Sequence, residues 1–306
     1  MIFHYLKIAF RNLCKHKTQN IISIIGLAVG LLCFCVCIYC SRFVESTDHC
    51  FANHDRIAEL NLYDGKADRY FSGSPVPLAE ELRTWALGET EAISSVTYPR
   101  ERPYYVELSP EKMLPYELET IEIDTCYNKI FTPEMVAGHW KMASQSLNSV
   151  ILSQSMAIKI FGNAESAIGK HMTLMRRLNT SPESTPKTGG IVYTIQAVMK
   201  DIPLNNSLDF MQNIDMLTVN DSEGLLQSPK RHNMTGANTY VLLSPQTTCT
   251  DLEKQFSKRD YTYTLYDEAY TVTASNMGSR LKKQGASYLE LVTGTVGTPV
   301  SYTHLT

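Results

Sequence analysis

The chain has no GxSxG nucleophile turn, no HExxH zinc helix and no pair of CxxC motifs. Those absences remove the commonest sequence signs of a serine hydrolase, a zinc protease and a four-cysteine metal site. A GxxxxGK[ST] phosphate loop is missing too. Gly162 and Gly169 stand seven apart and His171 follows Lys170, so nucleotide hydrolysis is not expected in this chain. The eight histidines are dispersed, and His49 and His54, five apart in a polar stretch, do not read as metal ligands. No cofactor or metal is expected. Charge is scarce as well: 19% of residues are charged and the net charge is −3, which offers no basic surface for nucleic acid.

Cysteines suited to disulfides are also few. Cys33, Cys35, Cys37 and Cys40 sit in an apolar run, where thiols behave as small hydrophobes, and Cys14 precedes it. Only Cys50, Cys126 and Cys249 remain for the rest of the chain, enough for one bridge and one leftover thiol at most. The bulk of the protein is therefore expected to hold together by its core.

What the sequence does have is one long charge-free run. Residues 21–40, IISIIGLAVGLLCFCVCIYC, contain eleven Ile, Leu, Val or Phe residues in twenty. As a helix they span about 30 Å, the thickness of a bilayer core. Lys7, Arg11, Lys15 and Lys17 precede the run without any acid, whereas Glu45 and Asp48 follow it. The positive-inside rule then places residues 1–20 in the cytoplasm and everything after about residue 41 outside. A cleaved signal peptide fits less well, because the apolar core is too long and CIYCSRF offers no small-x-small cleavage site. Residues 2–17 read as a short amphipathic helix at the inner surface of the lipid bilayer. Lys7, Arg11 and Lys15 form its basic face and Phe3, Leu6, Phe10 and Leu13 its apolar face. This face serves either as a plain topology signal or as a docking surface for a cytoplasmic subunit. Within the run, Gly26 and Gly30 form a GxxxG pair that would let another helix approach closely.

Beyond residue 41, strand-like alternation recurs with short helical stretches. Strands are expected at 56–63, 92–98, 104–108, 116–124, 148–152, around 171–175, 192–199, 210–217 and 239–243. Helices are expected at 75–85, at 154–161 with Ser153 or Ser155 as cap and Gly162 as stop, and at 250–258. In the last, Thr250 and Glu253 have capping-box spacing. Residues 178–190 read as a loop. This mixture predicts an α/β (mixed α+β) outer domain. Glu117, Glu119, Glu122 and Asp124 lie along one expected strand and read as solvated surface. Asn205-Asn206-Ser207, Asn220-Asp221-Ser222 and Asn233-Met234-Thr235 match the glycosylation pattern, which matters only in a eukaryotic secretory route.

The opening FHYLKIAFRNLCKHKTQNIISIIGLAVG resembles that of bacterial ABC transporter permeases of the MacB/FtsX type. The blocks SVILSQSMAIKIFGNAESAIGKHM, YTIQAVMKDIPLNNSLDF and NTYVLLSPQTTCTDLEKQF resemble the MacB-like periplasmic core domain, with a flavour of the Bacteroides group. The resemblance covers about residues 1–260. It implies a cytoplasmic segment 1–20, a transmembrane helix 21–41, a periplasmic core domain 42–260 built as two subdomains with the second inserted in the first, and a remainder 261–306. It implies a bacterial inner-membrane permease that forms a homodimer or heterodimer, binds a separate cytoplasmic ABC ATPase subunit and engages a periplasmic adaptor. On this resemblance Arg11, Asn12, Leu13 and Lys15 match the family's cytoplasmic motif, and Gly26 and Gly30 its anchor motif. Phe161-Gly162, Ile168-Gly169-Lys170 and Asp201 match its periplasmic turns, the glycines serving the fold.

Members have four membrane helices, and three are missing after residue 260. The best candidate, 288–300, is broken by Glu290, Gly294, Gly297 and Pro299, so the chain is expected to be truncated. The alternative is a single-pass extracytoplasmic sensor or binding module, which explains the same topology without further helices. An anchored enzyme is a third reading and lacks a catalytic cluster. If the apolar run is a retained anchor, the protein stays in the membrane fraction through alkaline carbonate washing; release into the supernatant would contradict it.

Overall fold

The computed structural model describes residues 4, 11, 15, 17–71, 73–85, 87–109, 112–174, 190–208, 213–222, 224–227, 235–265 and 268–279. They fall into two compact units, Met1–Ser46 and Thr47–Thr306.

The first unit carries helix α1, Lys17–Glu45, 29 residues that rise about 43 Å. It extends past the charge-free run at both ends and buries none of its residues. Ile21, Leu27, Leu32 and Phe34 are all more than half exposed. An unbroken apolar helix with no protein covering it is stable only in an apolar medium. Among the described residues it is the one helix long and apolar enough to cross a membrane.

The second unit begins with strands β1 (Ile57–Asp64), β2 (Arg69–Tyr70) and β3 (Ser74–Pro75), helix α2 (Leu78–Thr84) and strand β4 (Thr90–Thr97). A long hairpin follows, β5 (Arg100–Ser109) and β6 (Lys112–Ile123), then α3 (Tyr127–Phe131), β7 (Met135–Gly138) and α4 (Trp140–Gln145). Next come β8 (Ser149–Ser153), α5 (Gln154–Phe161), β9 (His171–Leu174), β10 (Ile191–Met199) and β11 (Met216–Val219). The chain ends its described course with β12 (Thr235–Leu243), α6 (Cys249–Lys258), β13 (Thr262–Leu265) and β14 (Glu268–Asn276).

The strands make one sheet in two groups, joined where Val96 of β4 pairs with Ile123 of β6. In the first, β4, β12, β1, β14 and β13 lie side by side, every pair antiparallel. Alternation along β1 sends Ala58, Leu60 and Leu62 to one face, where α2 and α6 cover them with Leu78, Leu82, Leu252 and Phe256. In the second, β6, β5, β9, β10, β8 and β11 pair in sequence, and β11 returns in parallel to β6. That return closes a six-strand ring from residues 100–219 and removes its free edges. Tyr104, Leu118, Val150, Leu152, Tyr193 and Met216 form its fully buried core. The ring is inserted between β4 and β12, neighbours in the first group.

Several expectations meet different outcomes. The helix expected at 75–85 starts at Leu78, because Ser74 and Pro75 pair with β12 instead. Of the strand expected at 210–217, Met216–Val219 is the observed part, and 210–212 lie outside the described residues. The loop 178–189 lies outside them too. Two strands beyond residue 260, β13 and β14, belong to the first group, with β14 directly beside β1. The cap of helix α6 lies two residues earlier than expected: Thr248 and Asp251 make the reciprocal capping box. Glu253 instead reaches across to accept the amide of Ala274 at 2.9 Å. Glu122 is also a correction, at 3% exposed. Glu117 and Glu119 share one face, but the three-residue step to Glu122 crosses to the interior face of β6.

The two threonines of α6 give a direct check. Thr248→Ala should lower stability by about 1 kcal/mol. Thr250→Ala, on the exposed first turn, should change it by less than about 0.5 kcal/mol in urea unfolding.

Candidate functional site at the domain junction

Three distant segments meet where the second unit begins. Thr47 and Asp48 are buried, and Asp48 adopts a left-handed backbone with φ of 69°. Asp and Asn tolerate that region better than other side-chain-bearing residues. The Asp48 amide donates to the Asn205 carbonyl at 2.9 Å. Its carboxylate accepts the Ser207 amide at 2.6 Å and the Ser207 hydroxyl at 2.5 Å. Asn206 shapes the partner segment, donating to Pro203 O at 2.7 Å and accepting from the Leu208 amide at 2.9 Å. From the other end of the domain, Gly278 packs directly against the Asp48 carboxylate, where a side chain would stand. The Met277 amide donates to Ile57 O at 2.9 Å. The beginning of the outer domain and its last described turn are thus adjacent, fastened by one buried carboxylate.

Two clefts, each about 340 Å³, lie nearby and share Asp201 and Ile202. The first is polar, with Glu117, Ser153, Ser155, Lys159 and Asp215 in its wall. Its serines serve helix α5. Ser153 accepts the Met156 amide at 3.3 Å, while the amide and hydroxyl of Ser155 both donate to Asp201. Asp201, expected as a turn residue, therefore holds the first turn of α5, where the exposed amides favour a carboxylate. Burial raises the Asp215 carboxyl, opposed by the Glu119 amide and the Lys159 ammonium. The second cleft is more apolar, with Phe51, Tyr127, Phe131 and Pro133 inside and a Lys200–Glu134 ion pair of 3.0 Å at its edge.

The hydroxyl–carboxylate pair of the first cleft, Ser155 with Asp201, holds the first turn of α5. Among the described residues, no three His, Cys, Asp or Glu side chains gather to hold a metal. Cys50, Cys126 and Cys249 are free thiols. Burial and then the Asp48 charge raise Cys50 to about 11. Burial and then Glu253 raise Cys249 to about 11. Burial followed by the Asp124 charge also raises Cys126. An activated nucleophile needs the opposite shift.

The residues singled out from sequence occupy separate places. Gly26 and Gly30 lie one turn apart on α1, and a side-chain carbon built at either would meet nothing within 4 Å. Arg11 and Lys15 are helical and exposed, whereas Lys7 lies outside the described residues. Gly162 ends α5 at φ of 87°, its amide donating to Ile158 O. Gly169, at φ of 79°, donates to Ile195 O at 2.8 Å and leads into β9. Neither Gly162 nor Gly169 touches the junction. Asp48 carries no local signal, because its partners sit far along the chain. The only hint is Ser207, whose hydroxyl completes a glycosylation pattern in sequence but bonds Asp48 in the fold.

Asp48→Asn keeps the left-handed backbone but removes the charge and one acceptor. It should destabilise the purified protein by about 1–3 kcal/mol. A double-mutant cycle with Ser207→Ala, read from denaturant midpoints, should show coupling of about 1 kcal/mol.

No protein-family model and no curated protein matches the chain. Among solved structures, a domain of a protein provisionally assigned as a permease, from Porphyromonas gingivalis, superposes with a TM-score of 0.54 at 21% identity, covering 74% of this chain and 93% of that one. The periplasmic region of MacB from Actinobacillus actinomycetemcomitans gives 0.47 at 13% identity, with 77% and 94% covered. The extracellular domain of YknZ, a noncanonic ABC-type transporter from Gram-positive bacteria, gives 0.40 at 13%, with 72% and 100% covered. The last two superpositions are too loose to carry an argument. At its low identity the first establishes architecture and not chemistry. The chain shares the fold of that permease domain.

Proposed function

We propose that this chain is the first-helix and extracytoplasmic part of a permease subunit in an ATP-driven ABC transporter of the MacB/FtsX type. The observation that carries the reading is the permease-domain fold behind an apolar helix, the one such helix among the described residues. The junction supports it, since a domain whose start and last described turn meet at Asp48 and Gly278 is built to be inserted between membrane spans. On this reading residues 1–20 face the cytoplasm in the inner membrane, and the second unit lies in the periplasm. Lys7, Arg11 and Lys15 face lipid phosphates or the cytoplasmic ATPase subunit. Gly26 and Gly30 form the face on which a second permease copy or a further helix packs. The outer unit relays motion driven by ATP hydrolysis in that partner toward export, lipoprotein release or envelope signalling, with a periplasmic adaptor as a further contact.

Affinity purification of the full-length gene product from membranes should bring down an ATP-hydrolysing subunit. Gly26→Leu combined with Gly30→Leu should lower the crosslinked permease dimer several-fold. Isolation without any ATPase partner would sink this reading. A single-pass binding module is the second reading, favoured by the two clefts of about 340 Å³. Saturable small-molecule binding with no subunit association would select it.

A further inference from the structure

The second cleft has a donor in its wall with nothing to donate to. Tyr127 is fully buried, and its hydroxyl finds no hydrogen-bond partner among the described residues. Buried hydroxyls are rarely left so, because losing water without gaining a partner costs stability. The titratable group that acts on this phenol is Cys50, which lines the same cleft.

The ring is firmly placed. Helix α3 sets Tyr127 and Phe131 four residues apart on one face, and their rings stack with centroids 4.5 Å apart. Trp140 lies nearly parallel to Tyr127 at 6.3 Å. Phe51 and Tyr240 both meet Phe131 edge-on, at 5.0 and 5.2 Å. Gripped by two stacked rings, the phenol has little room to turn toward an acceptor elsewhere.

The charged groups of the cleft, by contrast, are already engaged. The Lys200 ammonium pairs with Glu134 at 3.0 Å, and the Lys200 amide donates to the Glu134 carbonyl at 2.9 Å. Asp201 accepts from Ser155 at the first turn of α5. The Phe51 amide donates to Asp48 O at 2.9 Å, and the Pro203 carbonyl accepts from Asn206 at 2.7 Å. Burial, then the Asp48 charge, raises the Cys50 thiol to about 11, so it stays neutral. Burial and then Cys50 raise the Tyr127 phenol as well, so it keeps its proton to donate.

We propose that the second cleft binds a small neutral molecule with an apolar, ring-sized body and a carbonyl oxygen, and that this oxygen accepts the Tyr127 hydroxyl. Phe51, Phe131, Pro133 and Ile202 receive the body, and a volume of about 340 Å³ suits it. A charged guest would meet rim ions already bonded and would leave water for an apolar wall. The phenol oxygen is shut off from bulk water, so water does not take the acceptor's place. The guest reaches it by a rotamer change of the kind that commonly accompanies binding, and Cys50, an exposed residue, has room to turn. The inference deepens the binding reading of this cleft and concerns the outer unit alone. Association with an ATPase subunit is a separate measurement, so either can fail without the other.

The test follows alkylation of Cys50 by N-ethylmaleimide on the full chain in maltoside micelles, read by mass spectrometry of the peptide that carries it. Phenylacetamide, a neutral ring with a carbonyl, is the probe. It should slow Cys50 labelling saturably and leave Cys249, which lies outside the cleft, unchanged. Phenylacetate and phenethylammonium keep the skeleton but carry charge, and should need at least about tenfold higher concentration. Tyr127→Phe keeps the ring and removes the donor. It should raise the half-protecting concentration of phenylacetamide about three- to tenfold, without lowering the thermal midpoint of the ligand-free protein. Lack of protection up to the solubility of the probe, equal protection of Cys249, equal protection by the charged analogues, or an unchanged half-protecting concentration in folded Tyr127→Phe overturns the proposal. The three probes on the wild-type protein decide the matter even where the variant fails to fold.

Discussion

The outer unit depends on strand β12 finding its place between β4 and β1. Ile57 to Leu60 pair with residues 239–242, and the same strand pairs on its other side with residues 90–97. Everything between those strands in sequence, including the closed ring, must be accommodated before this core sheet is complete. Closing so long a loop costs conformational entropy that only the final hydrophobic burial offsets. With Cys50, Cys126 and Cys249 unbridged, no covalent staple shares that task among the described residues. The ring helps by being closed on itself, so the inserted segment offers no free edge to mispair while the outer strands assemble.

What was legible in the sequence was local chemistry. Ser153 and Gly162 delimit α5 because a cap hydroxyl and a left-handed stop act on amides a few residues away. The apolar run was legible because its length is set by the bilayer and not by tertiary contacts. Two neighbouring threonines defeated the same reasoning at α6: both have the right chemistry, and only the backbone says which one precedes the first turn. Strands β13 and β14 carry the same alternation, YTYTL at 261–265 and YTVTA at 270–274, but lie past residue 260, where the resemblance stopped. Their buried residues, Tyr263, Leu265, Tyr270 and Val272, alternate with exposed Thr262, Thr264, Ala269 and Thr271. Glu122 and Asp48 could not be found at all from sequence. Each is defined by backbone amides more than a hundred residues away, and no spacing rule reaches that far.

Both hidden residues are buried carboxylates that hold backbone rather than substrate. Asp48 gathers the start of the domain, residues 205–207 and the last described turn. Glu122 gathers the Leu225 and Leu226 amides. Asp201 does similar service for α5. Acids placed in this way fasten segments that lie far apart in sequence. The free thiols point the same way, since their raised pKa values suit filling and not attack.

The meeting of Asp48 with Gly278 has a mechanical meaning. Because these two residues touch, a pull between them would load the few bonds of that knot. The strands behind it feel almost no tension. The same knot is the place where an excessive pull would first undo it, at the Asp48–Ser207 contacts and before any strand is peeled from the sheet.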